Sequence, residues 1–385
     1  MIVSKLILKN WRNFRTVDVS LRERVFVIGP NASGKSNLLD VLRFLRDVAR
    51  SEGGGLQKAV KDRGGMTKLR CLLARRHPEV LISVELAERA DSNAVWRYTL
   101  GFGSEGKGMQ RVMIKQEKVE DLRSGCVLLS RPDASDTSDA ERLTETSLEH
   151  VNANKSFREI AQFFASLTYL HLVPQLLKYS DLGGSGKIEG DPFGQSFLER
   201  IASTSDRVRE ARLKKIETGL RACVPNMKNL KFVRDASTGR PHLEALHEHW
   251  RPDAGWQREE QFSDGTLRLL GVMWSLLEGD SLLLLEEPEL SLNENIVRQI
   301  PSLIGDMQRK AKHRRQVFIT THSEAMLGNR SIDPREVLRL EPTHDGTAVR
   351  EATDEDQALV DAGYSVAEAL LSKVRPTNIN QLTLF

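Results

Sequence analysis

The chain predicts an α/β fold with a parallel or mixed core sheet, an antiparallel β part and a helical part, and three stretches carry that expectation. "GPNASGKSN", Gly29 to Asn37, follows the apolar run "VFVIG" and precedes a helical pattern. "SLLLLEEPELSLN", residues 281 to 293, runs four leucines into Glu286, Glu287 and Glu289 around a proline. Between 79 and 130 the pattern changes to short alternating runs, as an antiparallel meander requires.

At 385 residues the chain is long enough for one large domain or two. No stretch reaches the roughly 18 to 20 apolar residues of a membrane helix, and "MIVSKLILKNWRNF" is too polar for a signal peptide, so the expected compartment is the cytoplasm. Cys71, Cys126 and Cys223 lack CxxC spacing and read as core or surface thiols. The formal charge is +3, from 56 basic and 53 acidic residues, which neither demands nor excludes nucleic acid.

Along the chain, "IVSKLILKN", "RTVDVSL" and "VFVIG" read as strands. A helix is expected from Lys35 to Arg50, with Leu38, Leu42 and Leu45 at helical spacing, and "SEGGG" stops it. Four runs of the meander follow, ending at "GCVLLS", and the polar segment 132 to 155 is expected to be a mobile loop. Next come a helix in "SFREIAQFFASL", a strand in "TYLHLVPQ", and helices from Ser196 to Cys223. The basic helix within them, Asp206 to Arg221, reads as a solvated face, with nucleic acid as the alternative. A hairpin over 229 to 249, a helix over 264 to 278, the leucine strand, a helix over 293 to 310 and the strand "QVFITT" complete the pattern. The expected parts are 1–78, 79–155, 156–260, 261–345 and a tail at 346–385.

The first motif fits GxxxxGK[ST] in the context its mechanism needs, strand before and helix after. Gly29 and Gly34 let the backbone N–H groups around Asn31, Ser33 and Asn37 converge on phosphate oxygens at a helix N-terminus. Lys35 is expected at the β and γ phosphates of ATP, and Ser36 at Mg²⁺. The cluster "GGSGK", Gly183 to Lys187, fails the same test and reads as a loop, since Ile188 replaces the Ser or Thr and no buried strand feeds it. A core strand ending in carboxylates is the expected second half of such a site. Glu286 would hold Mg²⁺ and Glu287 would act as general base for the attacking water.

"QFSDGTLRLL" places Ser263 and Gly265 at the head of an apolar helix, where a plain N-cap and an anion site are compatible readings. "TTHSE" puts His322 at the end of another buried strand, where a lone histidine is usually a satisfied structural residue but beside a phosphate site can touch the γ-phosphate. His242, His247 and His249 form the one histidine cluster; a solvated hairpin is the expectation there, with metal binding as the alternative.

Together, the Walker A loop "GPNASGKSN", the "FSDGT" signature, the "LLLLEEPE" Walker B strand and the "TTHS" switch strand with His322 resemble the ABC-type ATPase heads related to SMC, RecF and OLD proteins, and most of all the bacterial group whose Walker B strand reads EEPE. "LKNWRNFRTVDVSL" is similar to the NFRxF opening of those heads, and "DRGGMTKL" to a glycine pair they carry. The resemblance covers most of 1 to 345 and implies a two-lobed P-loop ATPase head. By the same resemblance Gln175 would be the Q-loop glutamine that senses Mg²⁺ and γ-phosphate. Glu286 stands where transporter and SMC heads usually have Asp, and Ser-Asp-Gly-Thr stands for the fuller SGGQ. Neither a long coiled coil nor an OLD-type nuclease constellation is present, so the head is expected to work on a separate effector protein, a nuclease being one candidate. The expected activity is Mg-ATP hydrolysis in an ATP-bridged homodimer, acting as a switch, with DNA as a possible partner and no membrane, in genome maintenance or antiphage defence. The rivals are a scaffold that binds ATP with little turnover and the nucleotide-binding subunit of a transporter.

Overall fold

The computed structural model describes residues 1–73, 79–105, 111–178, 193–248, 251, 255–310 and 314–374. Its core sheet has the order Gly346–Arg350, Val337–Thr343, Arg24–Ile28, Val317–Thr320, Leu283–Glu286, Thr168–Leu170. Neighbours are parallel except at the Gly346–Arg350 edge. Strands covered on both faces need continuous apolar sequence, which is why "RVFVI", "LLLE" and "VFIT" lack alternation. Their side chains nevertheless alternate between two cores. Val25, Val27, Leu284 and Phe318 join one core, with the helix Lys35–Ala49. Phe26, Ile28, Leu283, Leu285, Val317 and Ile319 join the other, with the helices Asp206–Leu220 and Asp264–Leu277.

The register pairs Glu286 with Thr320, and Val27 with Thr320, so the carboxyl ends of the three central strands finish level. Open α/β sheets place their ligands at that edge. The phosphate loop, the acids and the switch histidine therefore emerge side by side.

A second sheet of six antiparallel strands has the order Phe14–Ser20, Ile2–Trp11, Val80–Ala87, Ala94–Ser104, Val112–Asp121, Cys126–Arg131. Aromatic packing locks it to the phosphate-loop helix: Phe44 meets Trp11 edge-on at 5.3 Å and stacks on Phe102 at 5.2 Å. Gln316, buried, joins the sheets by receiving the Val3 N–H at 2.8 Å and donating to the Val3 and Arg22 carbonyls, each at 2.8 Å. A small sheet, Trp256–Arg258, Pro241–His247, Met227–Arg234, lies beside the helical part.

Two expectations change here. The polar segment 132 to 155 is not a loose loop, since it forms a helix Ala134–Ser138 and a 3₁₀ turn Ala140–Thr144 around buried Arg131 and Asp136. Nor is the histidine hairpin simply solvated. His242 is buried, and its Nδ1 lies 2.8 Å from Glu259 Oε1, whose other oxygen takes the Leu243 N–H. Glu260 lies close enough to make a three-ligand group with this pair, but Glu259 is already satisfied within the fold. His249 and Gly183–Lys187 lie outside the described residues. No described helix is long and apolar enough to cross a membrane.

Candidate nucleotide site

The loop after the strand Arg24–Ile28 is shaped by sterics before chemistry. Gly34 has φ +98°, and a Cβ there would stand 2.2 Å from the Asn13 side-chain nitrogen. A Cβ on Gly29 would lie 2.6 Å from Ser33 Oγ and 2.9 Å from the Leu340 carbonyl. Both positions accept only glycine without displacing the loop. Asn13 braces it by donating to the Ser33 carbonyl and to Thr347 Oγ1, each at 2.8 Å, while receiving Asn37 Nδ2 at 2.7 Å. The Asn37 carbonyl takes the Trp11 indole N–H at 2.9 Å. Asn31 is exposed at the loop's tip, and Ser33 is buried with an unpartnered hydroxyl.

Lys35 begins the helix, buried, and its Nζ donates to the Gly29 and Pro30 carbonyls at 3.0 and 3.2 Å. Burial pushes its pKa down, and the nearby carboxylates Glu287, Glu289 and Glu286 work against that. A cation held by carbonyls alone in a glycine cradle fits an anionic phosphate. Ser36 Oγ bonds Glu286 Oε1 across the gap between helix and leucine strand. A hydroxyl beside a carboxylate is a donor set suited to Mg²⁺. The second Glu286 oxygen receives the Tyr169 hydroxyl, and burial pushes the Tyr169 pKa well up.

Glu287 follows with φ +43°, a left-handed conformation rare for a side chain of this size. Its N–H is held by the Thr320 carbonyl at 3.1 Å and Thr320 Oγ1 at 3.2 Å, and its Oε1 meets His322 Nε2. That bond to His322 is the first cause that keeps its carboxyl below the ordinary range. Backbone strain of roughly 1–3 kcal/mol persists where surrounding bonds enforce it, and it concentrates at reactive sites. The structure thus brings together Gly29, Asn31, Ser33, Gly34, Lys35, Ser36, Asn37, Glu286, Glu287 and His322.

Ser263 and Gly265 share no hydrogen bond with that group among the described residues. Ser263 Oγ receives the Thr266 N–H at 3.1 Å and caps its own helix, Asp264–Leu277. Gly265 lets this helix approach the turn after the acids, since a Cβ would lie 2.7 Å from the Ser291 carbonyl. Gln175 lies on this side too. Its amide donates to Asp264 Oδ2 at 2.6 Å, beside Lys178 on Oδ1 at 2.8 Å, so an approach to Mg²⁺ would require leaving Asp264.

A family model described as "AAA domain, putative AbiEii toxin, Type IV TA system" matches residues 24–327, which run from the phosphate-loop strand past the switch histidine. The chain belongs to this AAA-domain family. Solved structures extend the likeness to the fold of the whole chain. An SMC head bound to the C-winged helix domain of ScpA has a TM-score of 0.57 at 14% identity, over 92% of this chain and 99% of that one. The Smc head domain with an extended coiled coil, bound to the C-terminal domain of ScpA and derived from Pyrococcus furiosus, has a TM-score of 0.50 at 14% identity, over 94% and 98%. No curated protein matches the chain. The AAA-domain chain therefore has the SMC-head ATPase fold, and its family and fold support ATP binding and hydrolysis.

Four residues of this AAA-domain site escape motif reading. Tyr169 looks like a core aromatic, and only the pairing of its strand with the leucine strand takes it to Glu286. Asn13 lies in the NFR opening, a signal present in the sequence but without a stated task. Glu289, named in the sequence without a role, and Arg268, within electrostatic reach of Glu287 and Glu289, complete the group: among the described residues each has a side-chain atom buried without a partner, Oε2 and Nε.

Proposed function

We propose that this AAA-domain protein is a Mg-ATP-driven switch that works as an ATP-bridged homodimer on a separate effector protein. One observation carries the catalytic part: Lys35, Ser36, Glu286 and Glu287 converge at the carboxyl edge of the core sheet, with Glu287 forced into a left-handed conformation. Lys35 neutralises phosphate charge, Ser36 and Glu286 hold the metal, and Glu287 takes the proton of the attacking water. Mg²⁺, when bound, supplies Lewis-acid stabilisation of charge on the phosphates. His322, bonded to Glu287, orients that carboxylate and reaches toward the γ-phosphate. Gln175 reports on the metal once it is released from Asp264.

The dimer rests on the second helix head, which shares no bond with the phosphate loop among the described residues. Ser263 and Gly265 stand at the N-terminus of the helix Asp264–Leu277, an end that suits an anion. In heads of the kind this chain resembles, that end faces the phosphate loop of a second copy across a two-fold axis, and such an isologous interface closes at two subunits. The effector role follows the same resemblance, a nuclease being one candidate, and antiphage defence is one setting that resemblance suggests. Genome maintenance is the other setting.

A nucleic-acid partner is favoured by a cavity of about 550 Å³ beside the phosphate-loop helix, lined by Arg12, Arg43, Arg50, Lys58, Arg63 and Lys68 among others, with three aspartates. No aromatic side chain lines it, which suits a sequence-independent phosphate backbone.

The test mixes two dead variants, Lys35→Ala and Ser263→Arg. In a mixed dimer both lesions fall on one shared site and leave the other intact, so turnover should recover toward half of wild type. No recovery in proven mixed dimers would refute shared sites. Absence of ATP turnover in the wild type, with and without DNA, would leave the scaffold reading.

A further inference from the structure

The third acid of the EEPE run has no part in the function proposed above. Pro288, buried, turns the chain back so that the Glu289 side chain reaches the switch segment. Its Oε1 accepts from Thr321 Oγ1 at 2.6 Å and from the His322 backbone N–H at 3.2 Å. The Thr321 oxygen in turn accepts the Ser323 N–H at 2.9 Å, so one carboxylate oxygen organises three consecutive switch residues. The other oxygen, Oε2, is shut off from solvent and without a hydrogen-bond partner among the described residues.

A carboxylate is out of place here unless the bonds it accepts matter, because burying it costs hydration that an apolar residue would not lose. What those bonds fix is the backbone of His322, whose ring Nε2 meets Glu287 Oε1. The Glu287 backbone, for its part, is fixed on Thr320. The two partners of the imidazole–carboxylate contact are thus anchored by different bonds, the His322 backbone by Glu289 and the Glu287 backbone by Thr320.

We infer that Glu289 is a positioning residue: it holds the His322 backbone where the imidazole reaches Glu287. Resting on the ATPase function proposed above, this gives each acid of the run a separate task. Glu286 faces the metal-binding hydroxyl, Glu287 the water, and Glu289 the switch strand. A slack switch strand would displace the ring by the order of an ångström, and such misplacement can cost about a hundredfold in rate.

The experiment compares Glu289→Ala with Glu289→Gln in the full chain. Amide hydrogen exchange at His322 and Ser323, measured without nucleotide, should speed up in the Ala variant and stay near wild type in the Gln variant, whose side-chain carbonyl still accepts both bonds, while Thr321, whose N–H goes to the Val27 carbonyl, should stay near wild type in both. In the ATPase assay Glu289→Ala should lose about ten- to a hundredfold in kcat with KM within about twofold, and Glu289→Gln should retain most of kcat. Adding Glu289→Ala to His322→Ala should cost little more than His322→Ala alone, because the first acts through the second. If Glu289→Ala does not fold, Thr321→Val in the same cycle removes one of the bonds. Full additivity in the cycle, unchanged exchange in the Ala variant, or a Gln variant as impaired as Ala would each overturn the inference. Wild-type protein without turnover would overturn the ATPase reading instead, while the exchange measurement would still decide the role of Glu289.

Discussion

Two regions of this molecule take charged groups out of water, and they treat them in opposite ways. At the far end of the antiparallel sheet Glu117, Arg131 and Asp136 are buried, and their polar atoms are paired. Glu117 receives the Tyr98 hydroxyl at 3.2 Å, the Ser147 and Leu148 N–H groups at 2.9 and 3.2 Å, and Arg131 Nη1 at 3.0 Å. Arg131 also donates to both Asp136 oxygens at 3.0 and 2.9 Å, and to the Glu145 and Arg142 carbonyls at 3.0 and 2.6 Å. At the nucleotide site, among the described residues, Lys35 is hydrogen-bonded only to two carbonyls, Ser33 Oγ and Glu289 Oε2 have no partner, and Glu287 is strained. A network closed on itself folds its own chain, here the segment 132 to 155. One left open is complete only with a ligand, which is where perturbed groups gather in functional sites.

The comparison breaks most completely at Lys35. Lys35→Ala removes the one buried side-chain cation held at the phosphates by the loop's own carbonyls, and it should abolish productive ATP binding. Affinity for a fluorescent ATP analogue and turnover together measure this. Because Lys35 has no bonded counter-ion in the free protein, its removal should leave thermal stability equal or slightly higher; a large loss of stability would mean that the open site is structural after all. Glu287→Gln comes next. It should bind ATP yet hydrolyse it at least about a hundredfold more slowly, as expected for loss of a general base. With Mg-ATP it should also run as a firmer dimer than with ADP, seen by sedimentation.

Arg131→Met reverses the pattern. It strands Glu117 without its cation and leaves Asp136 only the half-exposed Arg142 at 3.2 Å, and breaking a buried pair in this way costs about 3–5 kcal/mol. A urea melt should show that loss, while ATP affinity of the folded fraction stays at wild type. Acid supplies an independent view of the same region. The Arg131 hydrogen bond holds the Asp136 pKa down, from 3.8 to about 2. A depressed acid stabilises the fold above its unfolded pKa, and that stability is lost as pH falls toward 2. Wild type should therefore lose stability more steeply than Arg131→Met over that acid window.

What was legible in the sequence follows the same division. Lys35, Ser36, Glu286 and Glu287 could be read because the chemistry sits within one loop and one strand end, where spacing along the chain is spacing in space. The central parallel strands Arg24–Ile28, Leu283–Glu286 and Val317–Thr320 were legible from their unbroken apolar runs, whereas Val337–Thr343, which also pairs parallel, was not read. The fold of 132 to 155 was not, since its cause, Glu117 and Arg131, lies on strands whose pairing the polar segment does not encode. Tyr169 was missed, and Glu289 was named without a role, for a related reason: their partners, Glu286 and the switch segment, arrive by strand register and by the turn at Pro288. Gln175 shows the other side of this. Its helix puts it near the site, but the partner it holds, Asp264, belongs to the signature helix.

Tyr169 belongs to both regimes, and it sharpens the comparison with the smallest expected effect. Its ring is buried, with the Arg43 guanidinium 4.1 Å above its centroid, so one side of it is ordinary core. Its hydroxyl faces the open site and donates to Glu286 Oε2, leaving Oε1 for Ser36. Tyr169→Phe keeps the ring and deletes only that bond, so packing and stability should hold. Glu286 then loses the contact that fixes its rotamer, and removing such a support to a metal-binding carboxylate typically weakens metal affinity about 10- to 100-fold. The low end applies here, because the Ser36 contact remains. The Mg²⁺ concentration for half-maximal turnover should rise about tenfold, with kcat at saturating Mg²⁺ near wild type. An unchanged Mg²⁺ requirement would return Tyr169 to the core. A fall in kcat that saturating Mg²⁺ does not restore would mean that the hydroxyl acts on Glu287 chemistry through the strand end and not on the metal.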